Sequence, residues 1–192
     1  MKKFLAFTLI FFSTISSINA EEIKRIFVGN KDAKITIIAF ESLTCSHCAN
    51  FHKDVYPELK KNYLDTGLAK IEFRHFPLDI AAFNASKVAQ CKNDGDSNIL
   101  NSLFANQQKW VKGNSVAEAN QNLQKFLKSE GFDLDFEKCI NNKEIEDFVL
   151  NDRIDGVKKF KINATPTIII NDKKFEKSLN YKNLKKALEK LI

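Results

Sequence analysis

The sequence predicts an α/β fold interrupted by an all-helical insertion, and three observations carry that prediction. A nearly continuous apolar run, Ile35-Thr36-Ile37-Ile38-Ala39-Phe40, passes directly into a long helical pattern. From Asp79 to about Lys161 only helical periodicity is present. A second apolar strand, Ala164-Thr165-Pro166-Thr167-Ile168-Ile169-Ile170, then resumes the sheet. Period-2 and continuous apolar runs mark strands, and spacings of three and four mark helices. The boundaries read as a leader over residues 1–20, a first α/β part over 21–78, the helical insertion over 79–161 and a second α/β part over 162–192.

Bulk composition narrows the classes. The chain has 192 residues, 44% of them hydrophobic, enough for one cored domain with an insertion. Charged residues make up 28% and the formal net charge is +6. The basic residues are scattered beside Glu and Asp through helical patterns, with no basic run interleaved with aromatics. That pattern reads as a solvated face rather than a nucleic-acid patch. Six glycines and three prolines argue against a linker-rich or disordered chain.

The first twenty residues are set apart. Lys2 and Lys3 form a charged start, Phe4 to Phe12 is apolar apart from Thr8, and Ser13 to Ala20 is small and polar. This is the pattern of a signal peptide cut after Ala20. The competing reading is an uncleaved anchor, but the apolar core is short against the ~20 residues of a membrane span. Export would place the four cysteines where disulfides persist, and the expected location is the periplasm.

The elements follow in order. Ile23 to Val28 is a short strand or lead-in, and Gly29 to Ala33 a turn. Ile35 to Glu41 is a strand buried on both faces. Thr44 is the candidate N-cap of a helix from about Ser46 to Leu64. Phe51, Val55, Leu59 and Tyr63 share one face of it, and Pro57 should kink it. Gly67 suits the stop, and Ala69 to His75 alternates as a second strand. Asp79 caps the first helix of the insertion, and Asn93-Asp94-Gly95-Asp96 breaks it. Ser97 starts the next. Ser115-Val116-Ala117-Glu118 is a capping box. Phe136, Cys139 and Ile140 lie on a short helix, and Ile145, Phe148, Val149 and Val157 mark the last of the insertion. After the returning strand, Asn171-Asp172 turns the chain into Lys174-Phe175, and Asn180 or Tyr181 opens a final helix.

The chemistry lies in Cys45-Ser46-His47-Cys48, a Cys-x-x-Cys at the strand-to-helix junction. Free backbone N–H groups and the positive end of the helix dipole favour a thiolate there. The spacing reads first as a redox pair. Half of a zinc site and a structural disulfide are the alternatives. A four-ligand zinc site would want a second close pair, whereas Cys91 and Cys139 are single and far apart. His47 and His52 are near enough to join a copper or zinc site with the cysteines, but His52 reads as a polar helix-face residue. No metal and no cofactor is expected. Trp110 reads as core packing and His75 as structural.

Taken together, the leader, the strand running into Cys-x-x-Cys, the helix holding Pro57, the helical insertion and Ala164-Thr165-Pro166-Thr167 resemble the DsbA family of thiol–disulfide oxidoreductases. Phe76-Pro77-Leu78-Asp79 and Phe104-Ala105-Asn106-Gln107-Gln108-Lys109-Trp110 add to the resemblance. It implies a thioredoxin-like fold with an inserted helical domain. It also implies that Cys45 is the exposed nucleophile, Cys48 its buried partner and His47 the stabiliser of the Cys45 thiolate. Thr165 and Pro166 would meet substrate across a cis peptide bond. Stabilising the anionic, reduced form makes the disulfide a stronger oxidant.

Two positions depart from the family pattern. Ser46 stands where many members have Pro, which opens the redox potential and loosens the first helical turn. Ala39 stands where the family often has a buried Glu. Glu41 lies on the same face two residues on. It is either a partly buried acid that helps move the proton of Cys48 or a solvated residue at the strand end. Some relatives carry a second disulfide in the insertion, so Cys91 and Cys139 are expected to be joined rather than to be two free thiols. The bond would close a loop of 48 positions.

Three functions follow as expectations. The first is an oxidase that passes the Cys45–Cys48 disulfide to reduced or unfolded exported proteins through a mixed disulfide, reoxidised by a DsbB-type membrane partner. The second is an isomerase or reductase using the same site. The short stretch between Ala20 and the first strand leaves little room for an oligomerisation segment, which favours a monomeric oxidase. The third, from another class, is a copper- or zinc-binding protein.

Overall fold

A computed structural model describes residues 22–192. The expected leader, residues 1–20, lies outside the described residues. Five strands form one mixed sheet: β1 (Phe27–Gly29), β2 (Ile35–Glu41), β3 (Ala69–His75), β4 (Thr167–Ile170) and β5 (Lys173–Lys174), in the order β1-β3-β2-β4-β5. β2 and β3 are parallel, with Ile35 beside Ala69 and Glu41 beside His75, and the other neighbours are antiparallel. The central β2 explains its own composition. Ile37 and Ala39 enter the main core with Phe51 and Leu59, while Ile38 and Phe40 pack on the opposite side with Phe76, Ile162 and Ile169. A strand covered on both faces has no use for polar alternation.

The expected Ser46–Leu64 helix is divided. α1 (Ser46–Asp54) ends at Val55, whose φ of −119° and ψ of −48° break the helical path, and α2 (Tyr56–Leu59) resumes with Pro57 in its first turn. Pro57 has no N–H to give and would crowd the carbonyl four residues back, so the chain restarts instead of bending smoothly. A wider π-type turn, Lys60–Leu64, follows and closes with Asp65 N donating to Lys60 O at 2.9 Å. Phe51, Val55, Leu59 and Tyr63 nevertheless stay on one buried face. Thr44 is not the cap. Cys45 occupies that position without a side-chain bond, and Thr44 Oγ1 donates to Asp79 Oδ2 at 2.7 Å.

The insertion comprises α3 (Ile80–Gln90), α4 (Asn98–Ala105), α5 (Gln107–Trp110), α6 (Val116–Ser129), α7 (Phe136–Ile140) and α8 (Lys143–Phe160). Asp79 Oδ1 accepts from Ala82 N at 2.7 Å, as a cap should. Ser115 Oγ accepts from Glu118 N, but Glu118 Oε2 reaches Asn114 N, one residue before the donor of a standard capping box. Val157, read as part of the buried face of α8, is exposed. Gly156 carries that packing instead, because a Cβ there would sit 3.0 Å from the Phe40 ring. Lys161 ends α8 in the left-handed region.

The returning strand begins at Thr167, three residues later than expected. Asn171 and Asp172 turn it with φ of 44° and 64°, matching a two-residue hairpin. β5 then starts one residue earlier than expected and consists of two exposed lysines. α9 (Tyr181–Leu188) is capped by Asn180 and seats Leu184 and Leu188 in the core. Among the described residues no helix is long and apolar enough to cross a membrane.

Candidate active site

The site is built where β2 runs out and α1 begins. Two segments brace the turn from Glu41 to Cys45. Phe76 N donates to Glu41 O at 2.7 Å, and Leu78 N donates to Ser42 Oγ at 3.3 Å. From the insertion, Gln107 Nε2 donates to Leu43 O at 2.7 Å and to Cys45 O at 3.0 Å. The loop carbonyls therefore have side-chain partners, as backbone held in a fixed, partly buried turn requires. Gln107 was legible in the sequence only as part of a family-like stretch, because nothing in its local pattern signals a partner more than sixty residues away.

The two sulfurs, both free thiols here, lie in opposite environments. Cys45 is half-buried at the N-cap of α1, and Cys48, one turn on, is wholly buried. As a thiol, Cys45 Sγ donates to Thr165 O at 3.4 Å. As a thiolate it accepts from the Cys48 thiol first, then from the Thr165 hydroxyl and the backbone N–H groups of Cys48 and His47. Against the opposing cost of burial, these lower its pKa to about 5. The Thr165 hydroxyl is buried and among the described residues has no conventional hydrogen-bond partner, which leaves it available to the sulfur. Burial is the largest force on Cys48 and pushes its thiol up; the neighbouring Cys45 and Glu41 push it further the same way, and the Ser42 N–H opposes them.

The expected residues are gathered with one change of role. The Thr165–Pro166 bond is cis, and it brings Thr165 against Cys45. The His47 side chain is exposed, and what it directs at the Cys45 sulfur is its backbone N–H. Glu41 is 4% exposed, which rejects the solvated reading. Burial raises its carboxyl above the usual range, partly countered by His52, and the Cys45 charge raises it further. His52 is the residue sequence reasoning misjudged. Read as a polar helix-face residue, it is instead buried: its Nε2 lies 3.1 and 2.9 Å from the two oxygens of Glu41. The signal was available in principle, since His52 stands one residue after Phe51 and four after Cys48, on the border of the buried stripe. Among the described residues no three His, Cys, Asp or Glu side chains gather as a metal site.

Two grooves lie on either side of the turn that carries Cys45, one lined by His47 and the other by Thr44 and Ser46. One, of about 540 Å³, is lined by His47, Phe51, Thr165, Pro166, Leu179 and Tyr181. The other, of about 950 Å³, lies between α1 and the α4–α5 corner. Away from both, Cys91 and Cys139 are joined at 1.99 Å, tying the end of α3 to α7.

Comparison with known proteins agrees with this architecture. A family model described as Thioredoxin matches residues 21–190. A Rickettsia bellii protein named as a protein-disulfide oxidoreductase is 28% identical over 169 residues, which are 86% of this chain and 63% of that protein. The chain thus spans less than two thirds of that relative's length. Disulfide bond formation protein D of Bacillus subtilis is 29% identical over 175 residues, 85% of this chain and 75% of that one. The crystal structure of Wolbachia pipientis alpha-DsbA1 superposes with a TM-score of 0.76 at 31% identity, covering 87% of this chain and 90% of its own. With the sheet, the insertion and the Cys-x-x-Cys junction all in place, the chain belongs to the DsbA family of thioredoxin-fold proteins.

Proposed function

We propose that this chain is a periplasmic thiol:disulfide oxidoreductase that donates the Cys45–Cys48 disulfide to reduced or unfolded exported proteins. The observation that carries the reading is the asymmetry of the two sulfurs: an accessible thiolate held down to about 5 above a buried thiol pushed up. A low-pKa sulfur is a good leaving group, and its stability as an anion favours the reduced enzyme, so the disulfide is oxidising.

The chemistry runs in two displacements. A substrate thiolate attacks Cys45 Sγ, and the Cys45–Cys48 bond breaks with its electron pair on Cys48. Cys48 takes a proton from the Glu41 carboxyl, whose pKa burial raises. A second substrate thiolate then attacks the substrate sulfur of the mixed disulfide, and Cys45 leaves as a thiolate. The substrate is oxidised to a disulfide and the enzyme is reduced. The groove beside Pro166 supports an extended peptide lying next to Cys45. A DsbB-type membrane protein would return the enzyme to its disulfide form, and the chain would act as a monomer.

Titrating the couple against glutathione and measuring the Cys45 thiolate midpoint tests the reading. An oxidising potential with a midpoint near about 5 is expected. A reducing potential near that of thioredoxin, about −270 mV, would sink the donor direction.

A further inference from the structure

His52 carries a nitrogen that the chemistry above leaves unused. Its Nε2 is committed to Glu41, but its Nδ1 is buried and among the described residues has no hydrogen-bond partner. A buried polar atom left unpaired is costly and calls for an explanation. The ring is held firmly. Phe104 of α4 stacks on it at 4.1 Å with planes 18° apart, and Phe73, Tyr56 and Phe51 stand at 5.4, 5.2 and 5.5 Å. Its two nitrogens lie on different edges of the ring. The same ring lines the groove between α1 and the α4–α5 corner, together with Tyr56, Phe104, Gln107, Lys53 and Lys60. His52 therefore meets the buried acid through Nε2, and the residue also borders the groove.

We propose that His52 is a proton relay between that groove and Glu41. The inference rests on the reading of Cys45–Cys48 as a thiol–disulfide exchange site. When an attacking thiolate bonds to Cys45 Sγ, the electron pair of the broken disulfide leaves on Cys48 Sγ. Glu41 gives that sulfur its carboxyl proton and becomes a carboxylate. His52 passes its Nε2 proton to Glu41 and takes one at Nδ1 from a water molecule that must enter from the groove, because Nδ1 itself is buried. One proton has entered from the groove, one has reached Cys48, and the imidazole has changed tautomer. Reformation of the disulfide runs the same transfers backwards. His52 does not touch the reacting sulfurs; it is a positioning and relay residue that acts through Glu41.

The surroundings leave this route uncontested. Cys45 stands at the N-cap of α1, and the other titratable residues of that helix are His47, Cys48, Lys53 and Asp54. From α2, Tyr56 is pushed up to about 12 by burial and stays a neutral phenol. From β3, His75 stands beside Glu41 in register, but its ring meets Gln90 Oε1 at 3.4 Å and burial holds it towards the neutral form. On the groove side the groups beside His52 are the Asn101 amide and the Phe104 ring of α4 and the Gln107 amide of α5. Lys53 and Lys60 are the cations that line the groove.

The test is single-turnover reduction of the oxidised full chain by dithiothreitol, quenched by alkylation, from about pH 5 to about pH 8. His52→Gln keeps an N–H for Glu41 but has no second nitrogen to pass a proton through. It should react on the order of tenfold more slowly, with an altered pH profile, short of the 10²- to 10⁴-fold of a direct acid. In His52→Ala, added imidazole should restore part of the rate. An H52Q rate and profile equal to the parent's, or a uniform slowing with the profile unchanged, would overturn the relay. If neither variant folds by circular dichroism, nitrogen NMR of the parent decides. Different His52 tautomers in the disulfide and dithiol forms support the relay, and one tautomer in both overturns it. A parent protein that does not react with dithiothreitol at all would instead remove the exchange-site reading on which the relay stands.

Discussion

The molecule carries two cysteine pairs, and they sit at opposite ends of helices. Cys45 occupies the N-cap of α1, with Cys48 one turn inside. Cys91 occupies the C-cap of α3, and Cys139 lies in the last turn of α7. The helix dipole favours an anion at the first position and disfavours one at the second. The reactive pair is spaced by two residues, so breaking it frees no large loop. The other pair is 48 residues apart, and breaking it would return the closure entropy of that long loop to the unfolded chain. On the proposed reading, the same side chain serves as a nucleophile at the start of one helix and as a cross-link at the end of another.

That contrast can be broken at either pair. Cys45→Ala should abolish exchange with a reduced protein substrate, a loss of about 10³-fold or more, because the attacked sulfur is gone. Its titration is the next largest effect. The folded pKa of Cys45 is depressed from 9.0 to about 5. Its contribution to the stability of the reduced protein is therefore fully present above the ordinary thiol range and is lost as the pH falls from 9.0 to about 5. Denaturant titrations should show that slope in the reduced protein and not in one whose Cys45–Cys48 pair is oxidised. Replacing Cys91 and Cys139 together by Ala should leave the exchange rate within about twofold and lower unfolding stability by up to roughly 4 kcal/mol. Loss of exchange in that double variant would mean that the two pairs are not independent.

Smaller changes sharpen the reactive side. Glu41→Gln keeps the shape but cannot supply a proton, and should slow exchange by about 10- to 100-fold with a shifted pH profile. Gln107→Ala removes two hydrogen bonds from the loop carbonyls and should cost about 1 kcal/mol for each. Hydrogen exchange of the Leu43–Cys48 amides would register the loosening even where the rate hardly moves.

The sequence made the sheet and the insertion legible because they are written in local patterns. Ile35 to Glu41 and Ala69 to His75 declare themselves by apolar runs and alternation, and Asp79, Ser115 and Asn180 by caps. The Cys45–Cys48 motif was visible for the same reason. What stayed hidden depends on partners far away in the chain. Glu41 could be buried or solvated until β3 and the insertion were placed around it. His52 looked like a surface residue because the rings that enclose it, Phe73 and Phe104, come from a later strand and a later helix. Thr44 looked like a cap because its bond to Asp79 is invisible locally. The division of the Pro57 helix was half legible: the proline forecast a disturbance, but whether the chain bends or restarts is set by packing.

The short hairpin at the end of the sheet has a consequence for the company the protein is proposed to keep. Unfolded chains add readily to an open strand edge, where unpaired N–H and C=O groups await a partner. Here the edge beyond β4 is only Lys173 and Lys174, both exposed, after a turn whose Asn171 and Asp172 hold left-handed backbone. Two charged residues give an incoming strand almost no ladder to join, and their ammonium groups resist being covered. On that edge, a protein proposed to handle unfolded partners offers them little to build a ladder on.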